Sequence, residues 1–487
     1  MSWSRHLHVL FISAALLVAL TAGFGYGAFL ATALAFGMTP GAWYGALVQA
    51  HGHAQLFGWV GLFVLGMGLY FLPRLRGTNL RDAIAMNLAD SPTLDNQENL
   101  KGNWIRTAIV IASRKGIARL PYAFGLLVAG IVLRSVVQPL AGIVGTSEIL
   151  RALFLLSAIL EMGGMVVIIS MLAPTRAHAS KQRSEGAFTQ DAAAYSVEPL
   201  TQLALISLAL AFLFNLFGVW NVVSQVKHVL APRYDQLVIN LILYGVALPM
   251  TFVFSIRNLP LFLRLAVPPR GIWRTLTNFY LLGLGLRVLP YFIGIADDAL
   301  VLTGRVLRAN FLYVLLFDAL ALVGVILLNA CILIFVLAMA LPHLRKPSRA
   351  NFPESGGYGR FELLIYAAFV WLVVGASLDV LRVLPYVNEM ISIPQDAARH
   401  ALFVGFLTLL IFGMAVRMTP GFSGKRALAD PALVTWLFVL GNTAALLRVA
   451  PTFFSQSEFA LLLWGLSGFS GWCAVLVLAI GLWRTFR

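Results

Sequence analysis

Ionisable groups are rare at membrane depth, and two of the eight histidines in this chain occupy matching places in apolar stretches. In HGHAQLFGWVGLFVLGMGLYFLP, His53 precedes Pro73 by twenty residues. In RHALFVGFLTLLIFGMAVRMTP, His400 precedes Pro420 by the same twenty, and Asn240 stands in the same relation to Pro260. Twenty residues of helix rise about 30 Å, the hydrocarbon thickness of a bilayer. His53 and His400 therefore sit at equal depth on related helices, as the two axial ligands of one planar cofactor would. His51 lies about 200° around a helix from His53, so the two face different ways unless His51 precedes the helix. It is left to bind a second metal, hydrogen-bond a neighbour or meet water, and His228, in KHVLAPRYDQ, is its candidate partner. The competing reading is that these histidines cap helices or sit among head groups.

The elements that must position these residues follow from composition. The 487 residues are 60% hydrophobic and 11% charged, more apolar surface than a soluble domain buries, so the solvent includes lipid. Twelve apolar runs are long enough to cross: roughly 9–36, 47–73, 119–139, 147–173, 199–227, 235–257, 274–295, 308–342, 360–385, 398–420, 431–450 and 457–484. This predicts an all-α polytopic membrane protein with a single transmembrane domain over 1–487. The first run is too long for a signal-peptide core and is expected to be retained. A connection at 74–118 carries one expected interfacial helix, and the connection at 174–198 reads as flexible. Lys and Arg collect in these and in alternate connections, which places both termini in the cytoplasm. The net charge of +15 then faces anionic lipid rather than nucleic acid. Cys331 and Cys473 stand alone, with no CxxCH for covalent haem and no CxxC.

Because the twenty-residue frame falls on the second, sixth and tenth runs, the repeat unit is four helices. Three parallel units could close with pseudo-threefold symmetry, unlike the inverted repeats of many transporters. A second repeat, LRSVVQP, LRVLPY twice and LRVAP, places Arg134, Arg287, Arg382 and Arg448 near the outer face, each before a helix-stopping proline. Head groups or carbonyls could satisfy these arginines, as could Asp297, Asp298, Asp379 or a ligand carboxylate. Haem propionates are such carboxylates, with Arg382 first and Arg287 second as their expected holders. Glu161 and Asp318 read as carboxylates buried inside the fourth and eighth runs.

Twelve spans with histidines on the second and tenth look like subunit I of the haem-copper oxidases. The wording of HGHAQLFGWVGLFVLGMGLYFLPRLRG and RHALFVGFLTLLIFGMAVRMTPGFSGK resembles the NnrS family of bacterial inner-membrane proteins, which bind haem and copper and are linked to nitric oxide. That resemblance implies His53 and His400 as axial haem ligands, with nitric oxide or a redox protein as partner. An oxygen- or nitric-oxide-reducing centre is not expected, since Asn240 replaces a sixth-span histidine, the seventh span has none, and Arg399 and Ala401 flank His400. Phe422 stands where the family tends towards a histidine. Two other classes remain open: a transporter of metal or small solute using the outer histidines, and a cofactor-free subunit of an oxidase-like assembly.

Overall fold

In lipid every backbone N–H and C=O must be satisfied within the spanning segment, so long apolar runs become helices. The computed structural model describes residues 7–75, 119–184, 192–263, 265, 271–302, 311–345, 355–384, 392–454 and 457–487. Among them are twelve helices long and apolar enough to cross a membrane. They are α1 (His8–Ala35), α2 (Ala42–Arg74), α3 (Leu120–Val144), α4 (Glu148–Leu172), α5 (Glu198–Ser224), α6 (Pro232–Leu263), α7 (Ile272–Asp297), α8 (Leu316–Ala340), α9 (Phe361–Val383), α10 (Gln395–Phe422), α11 (Leu433–Phe453) and α12 (Glu458–Phe486). Consecutive helices pack against one another, and α12 returns to pack on α1, closing the set.

Helices α2, α6 and α10 form the interior. Their most apolar windows are 83%, 89% and 83% buried, against 28–56% for the other nine. Each is apolar all round, the pattern of a helix enclosed by others. These are the three helices that share the frame of His53, Asn240 and His400.

Several expectations change. Helix α2 begins at Ala42, so His51 and His53 both lie within it rather than at its start. The prolines expected to stop helices do not all do so. Pro73, Pro260 and Pro420 fall inside the last turns of α2, α6 and α10, and Pro139 and Pro290 lie inside helices too. The Ser135 carbonyl, which Pro139 releases, accepts from the Tyr26 hydroxyl at 3.0 Å. Asp318, expected to be buried inside its span, lies seven residues beyond the start of the helix Phe311–Arg345 and is exposed. The connection expected over 174–198 is shorter, because helices run on to Ser184 and resume at Ala192. The interfacial helix expected within 74–118 lies outside the described residues, apart from Arg74 and Leu75, which end a helix.

Candidate functional site

The three interior helices share a backbone feature that no hydrophobic pattern encodes. One residue after His53, Asn240 and His400, α-geometry gives way to π-helix, over Ala54–Gly61, Leu241–Ala247 and Ala401–Thr408. A fourth π segment, Ala19–Gly23, interrupts α1. Such segments widen the turn, disturb the i to i−4 ladder, and occur often at functional sites. Gly23 ends its segment at φ −73°, ψ −103°, outside the helical region, and its carbonyl is free for a side chain. That side chain is His51, whose Nδ1 lies 2.8 Å from the Gly23 oxygen.

His51, His53 and His400 all line one cavity of about 470 Å³, walled chiefly by α1, α2, α10, α11 and α12. This is the size of a cofactor or ligand site, ~300–1,000 Å³. Small residues make the room. A Cβ on Gly27 would come 2.8 Å from the His51 ring, and one on Gly468 would come 2.7 Å from the Ala28 backbone.

The three imidazoles are held differently. His51 gives Nδ1–H to the Gly23 carbonyl, and Nδ1 of His400 lies 2.9 Å from the Asp396 carbonyl and 3.0 Å from its carboxylate. These acceptors fix the proton on Nδ1, and among the described residues Nε2 of neither ring has a hydrogen-bond partner. A ring nitrogen tied to an acceptor while the other carries an unshared pair is the arrangement of metal-ligating histidine. His53 differs: its Nε2 meets Glu161 Oε1 at 2.8 Å, and its ring stacks on Phe57.

The arginines expected to meet propionates are engaged elsewhere. Arg287 holds Asp379 through Nη1 at 2.5 Å and Nη2 at 3.3 Å, and Arg382 reaches the same carboxylate at 3.1 Å. Tyr244 and Asn329 also donate to Asp379, while Arg287 Nε donates to Asn240. Neither arginine lines the cavity. Those that do are Arg134, Arg399 and Arg448. Arg448 donates to Asp396 at 2.6 Å, yet among the described residues its buried Nε has no acceptor, and neither has the buried Nε1 of Trp464 beside it. Two orphaned N–H groups at the edge of one cavity fit a carboxylate.

One sequence signal for this site went unread. Four residues before each frame position stands a polar side chain, Gln49, Gln236 and Asp396. Gln49 bonds the backbone of Leu230, Gln236 accepts from Arg399, and Asp396 joins His400 to Arg448. Trp464 and Gly23 carry no such periodic signal. His228 lends only its carbonyl, to Gln138, and is not part of the cavity wall. Among the described residues no three His, Cys, Asp or Glu side chains come together as a metal site.

A solved structure described as that of a heme-copper terminal oxidase dimer resembles this chain with a TM-score of 0.61 and 12% identity, covering 100% of this chain and 83% of that one. At such identity the likeness speaks for the fold alone: an all-α, twelve-helix, oxidase-like membrane architecture. No curated protein sequence matches significantly. A family profile described as NnrS protein matches residues 119–486, from the start of α3 through α12. The match takes in His400, Arg399 and Arg448 and leaves α1 and α2 outside it. Covering well over half of the sequence, it establishes that this chain belongs to the NnrS family.

Proposed function

We propose that this membrane protein binds a b-type haem in the cavity between α1, α2, α10, α11 and α12, and that it serves redox chemistry or the response to nitric oxide. The observation that carries this reading is the pair His51 and His400, each with Nδ1 tied to an acceptor and Nε2 unpartnered at the cavity. His51 with His400 would then hold the haem in place of the His53 that the spacing argument favoured, since Nε2 of His53 meets Glu161. The propionate-holding role passes from Arg382 and Arg287 to Arg448 and Trp464, with Arg399 close by.

When bound, a haem supplies one-electron chemistry and, wherever an axial position opens, a site for a diatomic gas. The chain's part is to hold the two imidazoles, balance the propionate charge, and surround the rest with apolar side chains that limit water. Away from the cavity, Phe252, Phe335 and Phe369 stack and Phe406 meets Phe369 edge to face, so that region is filled by protein. The likeness to an oxidase fold and membership of the NnrS family both support a haem in this chain.

The test is an absorption spectrum of detergent-purified protein, air-oxidised and dithionite-reduced, produced with haem supplied. A sharp reduced α-band is expected in wild type, lost in His51→Ala and in His400→Ala, and kept in His53→Ala. Loss in His53→Ala with retention in His51→Ala would restore the original ligand assignment. A colourless wild type would overturn the haem reading.

A further inference from the structure

Two helix junctions carry the same three-residue constellation with its charges arranged differently. Where α3, α4 and α5 meet, the residues are Arg134, Glu161 and Asn215, which are 2%, 0% and 2% exposed. Where α7, α8 and α9 meet, they are Arg287, Asn329 and Asp379, again all buried. The arginine keeps its place, while carboxylate and amide exchange helices. At the second junction the charges touch, Arg287 to Asp379 at 2.5 Å.

At the first junction the amide stands between the charges. Asn215 Nδ2 donates to Glu161 Oε2 at 3.1 Å, and Asn215 Oδ1 accepts from Arg134 Nη1 at 3.3 Å. Arg134 is further held by Gln138 at 2.8 Å and lies 4.4 Å over the Phe154 ring. Glu161 turns its other oxygen to His53. Gly130 admits the approach of α4, since a Cβ there would lie 2.6 Å from Glu161 Cγ. Arg134, Asn215 and His53 all line the cavity.

A buried pair in direct contact cancels much of its own field, whereas charges held apart in a poorly screened interior each act on their surroundings. The fold can close such a pair, as it does around Asp379, and at the cavity it keeps the charges separate. We propose that Arg134 and Glu161 set the reduction potential of the haem, with opposite signs. This rests on the haem reading above. Reduction moves one electron from the reductant onto the iron, taking iron(III) to iron(II), so the oxidised form carries one more positive charge. A nearby cation therefore favours the reduced form, and a nearby anion the oxidised form.

The experiment is an optical redox titration of the purified full chain with dithionite and ferricyanide at fixed pH. Glu161→Gln, which keeps partners for His53 and Asn215, is expected to raise the midpoint above wild type. Arg134→Gln is expected to lower it, Arg134→Lys to restore it, and Asp318→Asn, on a helix outside the cavity, to leave it unchanged. Should Arg134→Gln fail to accumulate, Glu161→Gln decides alone. An intact α-band with no shift in Glu161→Gln, or shifts of one sign in both charge-removing variants, overturns the proposal. A colourless wild type overturns the haem reading instead, so the two failures are distinct.

Discussion

His51 and His53 differ in what their second nitrogen can do, and that difference is made by atoms far away in sequence. The Gly23 carbonyl leaves Nε2 of His51 unclaimed, and Glu161 claims Nε2 of His53. The same reasoning ranks the ion pairs. Asp379 accepts from Arg287, Arg382, Tyr244 and Asn329 at 2% exposure. Removing one partner of a buried pair strands the others, at about 3–5 kcal/mol. Asp379→Ala should therefore lower the thermal unfolding temperature in detergent markedly, as followed by circular dichroism. Asp430→Ala removes an exposed pair with Arg484, worth roughly 0–1 kcal/mol, and should leave unfolding almost unchanged.

At the scale of elements, the π segments are the parts whose loss should be least forgiven. Each residue turns an α-helix by about 100°, so deleting one residue within Ala54–Gly61 would swing His51 away from Gly23 and the cavity. That deletion is expected to abolish the α-band without removing any candidate ligand, as the reduced spectrum would report. Close helix packing makes a second demand. A Cβ on Gly468 meets backbone rather than a movable side chain, so Gly468→Leu must push α12 from α1. Lower thermal stability and lost pigment are expected together. Gly421→Ala, where a Cβ meets nothing, should change neither.

At the scale of the molecule, the described residues hold twelve helices long and apolar enough to cross a membrane, with α2, α6 and α10 innermost. We read the three frames, each followed by a π segment, as three related four-helix sets, the basis for the pseudo-threefold organisation proposed from the sequence. From the distribution of Lys and Arg among the connections, we propose that both ends lie in the cytoplasm. Fluorescent-protein fusions at either terminus should fluoresce, and alkaline phosphatase fusions there should be inactive; the reverse would invert the topology. A chain beginning at residue 119 retains the family match but not His51, and it is expected to purify without pigment.

Much of this was determined by the sequence alone, for a physical reason. Lipid permits few backbone solutions, so apolar run lengths dictated twelve helices, and the twenty-residue spacing identified α2, α6 and α10 as equivalent. Glu161 is buried, as its place in an apolar run implied. Tertiary structure alone decided which nitrogen is unclaimed. Side-chain direction depends on π segments and on partners such as Gly23, Glu161 and Asp379, which lie 28, 108 and 92 positions from His51, His53 and Arg287. Spacing along one helix fixes depth; it does not fix what stands across from it.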